Sequence, residues 1–143
     1  MSYQFEFDSR NQILRARFER EATDEDLKEY YRLAREYAPR IDPRACILDF
    51  SAVTSFEVSP QMIHDLAHSP PAMPDPMRLR IVVAPTPHIF GMARMLQIEA
   101  EQTRPNLHVV QKLGEACAIL GIEKLKFKPI QPEQPKLPES PQQ

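Results

Sequence analysis

The sequence predicts an α/β layered domain on a mixed β-sheet, and three observations carry that prediction. Two alternating segments at the N-terminus read as a hairpin. Two continuous apolar runs further on read as strands covered on both faces. Segments with helical spacing separate the later strands. The predicted order is β-β-α-β-α-β-α-β-α, with about four helices.

Residues 3–7 set Tyr3, Phe5 and Phe7 against Gln4 and Glu6, and residues 12–19 set Leu14, Ala16 and Phe18 against Arg15, Arg17 and Glu19. "DSRNQ" between them has turn chemistry, so the pair is a hairpin whose arginines are expected on its solvated face. Thr23 opens the first helix. Its hydroxyl can cap the N–H of Asp26, and Asp24, Glu25 and Asp26 place negative charge at the positive end of the helix dipole. Leu27, Tyr30, Tyr31, Ala34 and Tyr37 form one apolar stripe, and Pro39 and Pro43 mark the expected end.

"ACILDF" (45–50) and "RIVVAP" (80–85) are the two buried parallel strands. A Ser/Thr/Ala loop is expected after the first, and then a helix capped by Ser59 with Pro60 at its first position. A helix over about 87–102 follows the second strand, with Ile89, Ala93, Leu96 and Ala100 on one face. "NLHVV" (106–110) is a further strand, and "GEACAILG" (114–121) a short helix ended by Gly121. "HSPPAMPDPM" (68–77) has four prolines in ten residues and reads as a stiff, extended connection.

The expected division is a domain over 1–122 and a proline-rich tail over 123–143. In the tail, prolines at 129, 132, 135, 138 and 141 repeat with the period of polyproline II. Such a tail is a solubilising spacer or a ligand for an aromatic-lined groove.

The 143 residues suffice for one core, and a net charge of −2 gives no basic field for nucleic acid. Only 3 glycines are present, which excludes a Gly-rich phosphate loop. Cys46 and Cys117 lie in apolar runs without metal-type spacing and read as free, buried thiols in a reducing compartment. The N-terminus has no secretory apolar region and no run is long enough to span a membrane, so a cytoplasmic protein is expected.

Sites in open α/β sheets lie beyond the carboxyl ends of parallel strands. That rule selects a rim of Asp49, Ser51, Thr54 and Ser55 after one strand, and Thr86, His88, Gly91 and Arg94 after the next. The rim is polar but holds no nucleophile elbow and no Ser/His/Asp spacing, so no catalytic residues are assigned. Asp49 can equally fix its loop by accepting backbone N–H groups. Arg94 is either a surface residue or an anion contact near a helix N-terminus.

"HDLAH" (64–68) resembles the zinc-protease pattern with Asp for Glu. Met62, Ile63, Leu66 and Ala67 define the apolar face of that helix, which turns His64 and His68 to solvent, and no third ligand follows at a usual spacing. No metal and no cofactor is therefore assigned.

The predicted order, with "LDFSAVTSFEVSP" after the third strand and the later block "APTPHIFGMAR", resembles the STAS domain of anti-sigma-factor antagonists. More closely, it is similar to stand-alone SpoIIAA-like (STAS/SEC14-type) bacterial proteins. The resemblance covers about residues 3–121. It implies a non-catalytic regulatory module with a protein partner, and leaves a homodimer open. In the antagonist branch a Ser within Asp-Ser-Ser-Gly is phosphorylated. Those positions here are Glu57, Val58, Ser59 and Pro60, so Ser59 alone matches, and it is either a phosphorylation site or only a helix cap. The SEC14 side of the resemblance implies a second reading, an apolar small molecule or lipid held among Met62, Met73, Met77, Met92 and Met95.

Overall fold

The computed structural model describes residues 2–130. Ten elements follow one another: β1 (Tyr3–Asp8), β2 (Ile13–Thr23), α1 (Asp24–Ile41), β3 (Ala45–Glu57), α2 (Pro60–Ala67), β4 (Leu79–Val83), α3 (Pro87–Glu99), β5 (Leu107–Val110), α4 (Leu113–Leu120) and β6 (Lys128–Ile130). They form one sheet in the order β5-β4-β3-β2-β1-β6. β2 through β5 are parallel, while β1 pairs antiparallel with both β2 and β6. The predicted class, an α/β layered domain with a mixed sheet and four helices, is the class observed.

Strand alternation divides the side chains between two cores. Phe5, Leu14, Ala16, Phe18 and Phe50 face α1, α2 and α3, and build the larger core with Leu27, Ala34, Ile63, Leu66, Ala93 and Leu96. Phe18 is fully buried at its centre, 5.1 Å from the Phe50 ring and 5.2 Å from Tyr3. Ile13, Ala45, Ile47, Ile81 and Val83 face the other way, toward α4 and the segment carrying Ile122, Leu125 and Phe127. β4 is therefore buried on both faces, as its unbroken apolar run requires.

Helix ends follow their local chemistry. Thr23 and Asp26 cap α1 reciprocally, Thr86 accepts the Ile89 N–H at α3, and Gly121 ends α4 at φ 73°. α1 runs past Pro39 to Ile41, although Pro39 has no N–H to give the Arg35 carbonyl, and Asp42 at φ 55° closes it with its N–H on the Ala38 carbonyl.

The structure departs from the sequence reading in three places. β3 does not stop at Phe50: the expected Ser/Thr/Ala loop is strand as far as Glu57, paired with an equally extended β2 across two register shifts. A sixth strand lies beyond the boundary placed at 122, since Phe5, Glu6 and Phe7 pair with Ile130, Pro129 and Lys128. Pro129 is tolerated there because this is an edge strand. The prolines at 132, 135, 138 and 141 lie outside the described residues.

The third difference is Arg15, which is not solvated. Asp8, itself 1% exposed, helps bring the cover over it. Burial disfavours the Asp8 charge, but the N–H groups of Lys126 and Asn11 and the Asn11 side chain donate to it, and together they hold its carboxyl below the usual range. The Lys126 bond, 2.8 Å, leads the chain back so that Phe127 lies over the Arg15 guanidinium at 4.1 Å.

Candidate functional site

Asp49 does not belong to the rim. It lies within β3, on the face opposite α1–α3, and is 1% exposed. Its Oδ2 accepts from Arg15 Nη1 at 3.1 Å and its Oδ1 from the Ser51 N–H at 2.8 Å. Arg15 also donates from Nε to Glu6 Oε1 at 2.9 Å, so Glu6, Arg15 and Asp49 form one enclosed acid–base–acid triad. Period-two alternation correctly separates Arg15 from the first core, but it cannot reveal the two carboxylates that neighbouring strands place beside it.

The other rim residues divide into two groups. β3 pairs with β4 only as far as Asp49↔Val83, and from there its outer edge has no strand partner among the described residues. Ser51, Thr54 and Ser55 are exposed along this extension. Thr54 donates to the Arg20 carbonyl at 3.1 Å. Thr54 and Ser55 line an open polar groove with Ser2, Arg20, Glu21 and Asp26. The second group sits on α3: Thr86 as its cap, His88 and Gly91 exposed on its first turns, and Arg94 donating to Gln97 at 2.8 Å. Phe56 joins the groups, its ring 5.5 Å from that of His88. Arg94 is exposed and has the neutral Gln97 as its partner.

Ser59 is tied down on both sides. Its hydroxyl accepts the Met62 N–H at 3.1 Å, capping α2, and donates to Asp24 Oδ2 at 2.7 Å. Its own N–H donates to Asp24 Oδ1 at 2.8 Å. One carboxylate in the first turn of α1 thus holds the start of α2. A phosphate here would add about −1.5 to −2 charges against that carboxylate.

Ser59→Ala is expected to cost about 1–2 kcal/mol from the lost cap and the lost tie. Aspartate normally caps as well as serine, yet Ser59→Asp is expected to destabilise at least as much as Ser59→Ala, because it faces Asp24. Adding Asp24→Asn to Ser59→Asp should restore part of the loss, and urea titration of the four proteins reads all three effects.

The core leaves little space. Grooves of about 580 and 600 Å³ are lined mostly by polar side chains, the first with Asp8, Asn11, Lys124 and Lys126, the second with Arg20 and Asp26; of two apolar cavities, one of about 70 Å³ lies between α1, the sheet and the 68–77 connection, with Tyr30, Cys46, Met73, Arg80 and Arg104 among its walls. The other holds about 20 Å³ beside Met92. Of the remaining methionines, Met62 is buried in the core and Met77 is 67% exposed. Burial pushes the Cys46 thiol up to about 12, with Arg80 and Arg78 pulling the other way, so Cys46 is an inert thiol on the cavity wall. Both cysteines are free, and both are half-buried where the sequence reading expects buried thiols.

His64 and His68 are exposed, and Met62, Ile63, Leu66 and Ala67 are buried, as the periodicity of α2 implies. The third acidic or imidazole group missing from the local spacing comes from the neighbouring helix: Glu99, at the end of α3, has Oε1 at 2.8 Å from His64 Nδ1.

No family model, curated protein or solved structure matches this chain. Among the described residues, no helix is long and apolar enough to cross a membrane.

Proposed function

We propose that this chain is a non-catalytic, STAS-like regulatory module that docks a protein partner on the projecting end of β2 and β3. The observation that carries the reading is the bare outer edge of β3 after Asp49, flanked by exposed Ser51, Thr54 and Ser55. An unpaired strand edge offers backbone donors and acceptors to an incoming segment, and small hydroxyl side chains leave it accessible. His88 and the first turn of α3 border the same end through Phe56.

The alternative, an apolar ligand or lipid in a SEC14-type pocket, has less support. Ligand pockets usually enclose about 300–1,000 Å³; the apolar cavity holds roughly 70 Å³, and the grooves of about 580 and 600 Å³ are lined mostly by polar side chains. A nearly filled core with an exposed polar rim favours docking.

Affinity purification from the native host, with the wild-type chain and with Ser51→Lys/Ser55→Lys, tests the proposal. Both positions are exposed, so stability should change by less than about 0.5 kcal/mol per site. A protein retained in stoichiometric amount by wild type and lost with the variant is expected. Retention of the same proteins by both, or of a small molecule and no protein, overturns the reading.

A further inference from the structure

We propose that His64, His68 and Glu99 form a binding site for a divalent cation of the zinc type, which clamps the C-terminal end of α2 to that of α3. One ring nitrogen of each histidine and one carboxylate oxygen lie within 4.8 Å of one another. The two histidines are one turn apart on α2, and Glu99 reaches them from 35 residues away along the chain.

The protonation pattern suits a metal. A carbonyl oxygen can only accept, so the 2.9 Å contact from His68 Nδ1 to the His64 carbonyl requires a proton on Nδ1. That bond fixes the ring and leaves Nε2 as the free lone pair, the arrangement by which most metal-ligating histidines are oriented. His64 Nδ1 and Glu99 Oε1 are 2.8 Å apart with a proton between them. Two ligands on one tetrahedral zinc, with bonds of about 2.0–2.2 Å, stand about 3.3 Å apart. The metal therefore takes the place of that proton, which moves to the solvent-facing nitrogen of His64, and the pair needs to open only slightly. The His64 and His68 rings are already adjacent, their centroids 4.4 Å apart.

Position supplies a second argument. His68 is the C-cap of α2, and Glu99 is the last residue of α3. The negative ends of two helix dipoles thus converge on the cluster and favour a cation. The helices are also fixed against each other nearby, where the Thr103 hydroxyl donates to the Ala67 carbonyl at 2.9 Å. Two imidazoles and one carboxylate select zinc, cobalt(II) or nickel(II) over calcium and magnesium. The remaining coordination positions face solvent and take water. None of the cavities described above opens onto the cluster, so the expected role is a clamp.

The test uses the untagged, chelator-stripped full chain, titrated with Co²⁺ followed by its visible absorption and with Zn²⁺ followed by calorimetry. One equivalent of each metal is expected, with a rise in Tm on adding Zn²⁺. His64→Gln, His68→Gln and Glu99→Gln should each weaken binding by roughly tenfold or more and reduce the rise in Tm accordingly. His88→Gln/His108→Gln should bind as wild type. All three ligand positions are at least partly solvent-exposed, so these variants are expected to fold. Absence of binding, binding that survives His64→Gln/His68→Gln, or binding that follows His88 and His108 overturns the proposal. Equal affinity in wild type and Glu99→Gln overturns the inter-helix clamp.

Discussion

Arg15→Ala is expected to destabilise the chain by about 3–5 kcal/mol, a fall in Tm of roughly 10–20 °C. The size follows from what is left behind. Arg15 is the only cation bonded to Glu6 and Asp49 among the described residues, and the Asp49 side chain is 1% exposed. Without it, two carboxylates face each other under Phe127 with little water to screen them. The loss should be much larger than that from Arg17→Ala, because Arg17 pairs with the exposed Glu19 at the surface.

A second variant separates the value of the triad from the cost of breaking it. Replacing all three members by apolar residues (Glu6→Leu, Arg15→Met, Asp49→Leu) should leave stability near or above wild type, since buried ion pairs recover little beyond their desolvation. Equal Tm values for wild type and Arg15→Ala would show the triad to be open to solvent. Thermal and urea unfolding of the three proteins decide between these outcomes.

Much of the fold is legible in the sequence because it rests on local signals. Ser59-Pro60 at the start of α2, the Thr23–Asp26 box and Gly121 each act within four residues, and a reader of the chain finds them at once. What escapes is set by partners distant in sequence. "SAVTSFE" has the composition of a loop, and only pairing with residues 19–23 makes it strand. The period-three prolines suggest a tail from 123, yet Leu125, Phe127 and Ile130 are drawn back by hydrophobic burial and by Asp8. Asp49 looks like the end of a strand before a polar rim, and the register with β2 instead carries it into the triad. The third member of the His64–His68 cluster is hidden for the same reason, on another helix.

Arg80→Met is expected to cost about 3 kcal/mol and to loosen the 68–77 connection selectively. Read along the chain, Arg80 is merely the polar first residue of an apolar strand. In the fold it is 8% exposed and faces no carboxylate that it bonds. Its two terminal nitrogens instead donate to four backbone carbonyls: Met73 at 2.6 Å, Arg78 at 2.9 Å, Asp75 at 3.1 Å and Pro76 at 3.2 Å. Proline has no N–H, so a segment with prolines at 70, 71, 74 and 76 cannot satisfy its own carbonyls by ordinary turns. The planar, many-donor guanidinium supplies what the segment lacks. Burial pushes the Arg80 pKa down from its ordinary value, but a guanidinium starts high enough to stay charged. Arg104 does the same at the other end, donating to the Ser69 carbonyl at 3.1 Å. Methionine fills the volume and keeps the apolar contacts, so its cost isolates the unmet carbonyls. Arg80→Lys should recover only part of the loss, because an ammonium has three donors and no fork. Hydrogen exchange should show faster exchange at Arg78, whose N–H bonds Asp75, before any change in β3 or α3. Uniform loss of protection across the domain would place Arg80 in the global core and refute its role as the organiser of this connection.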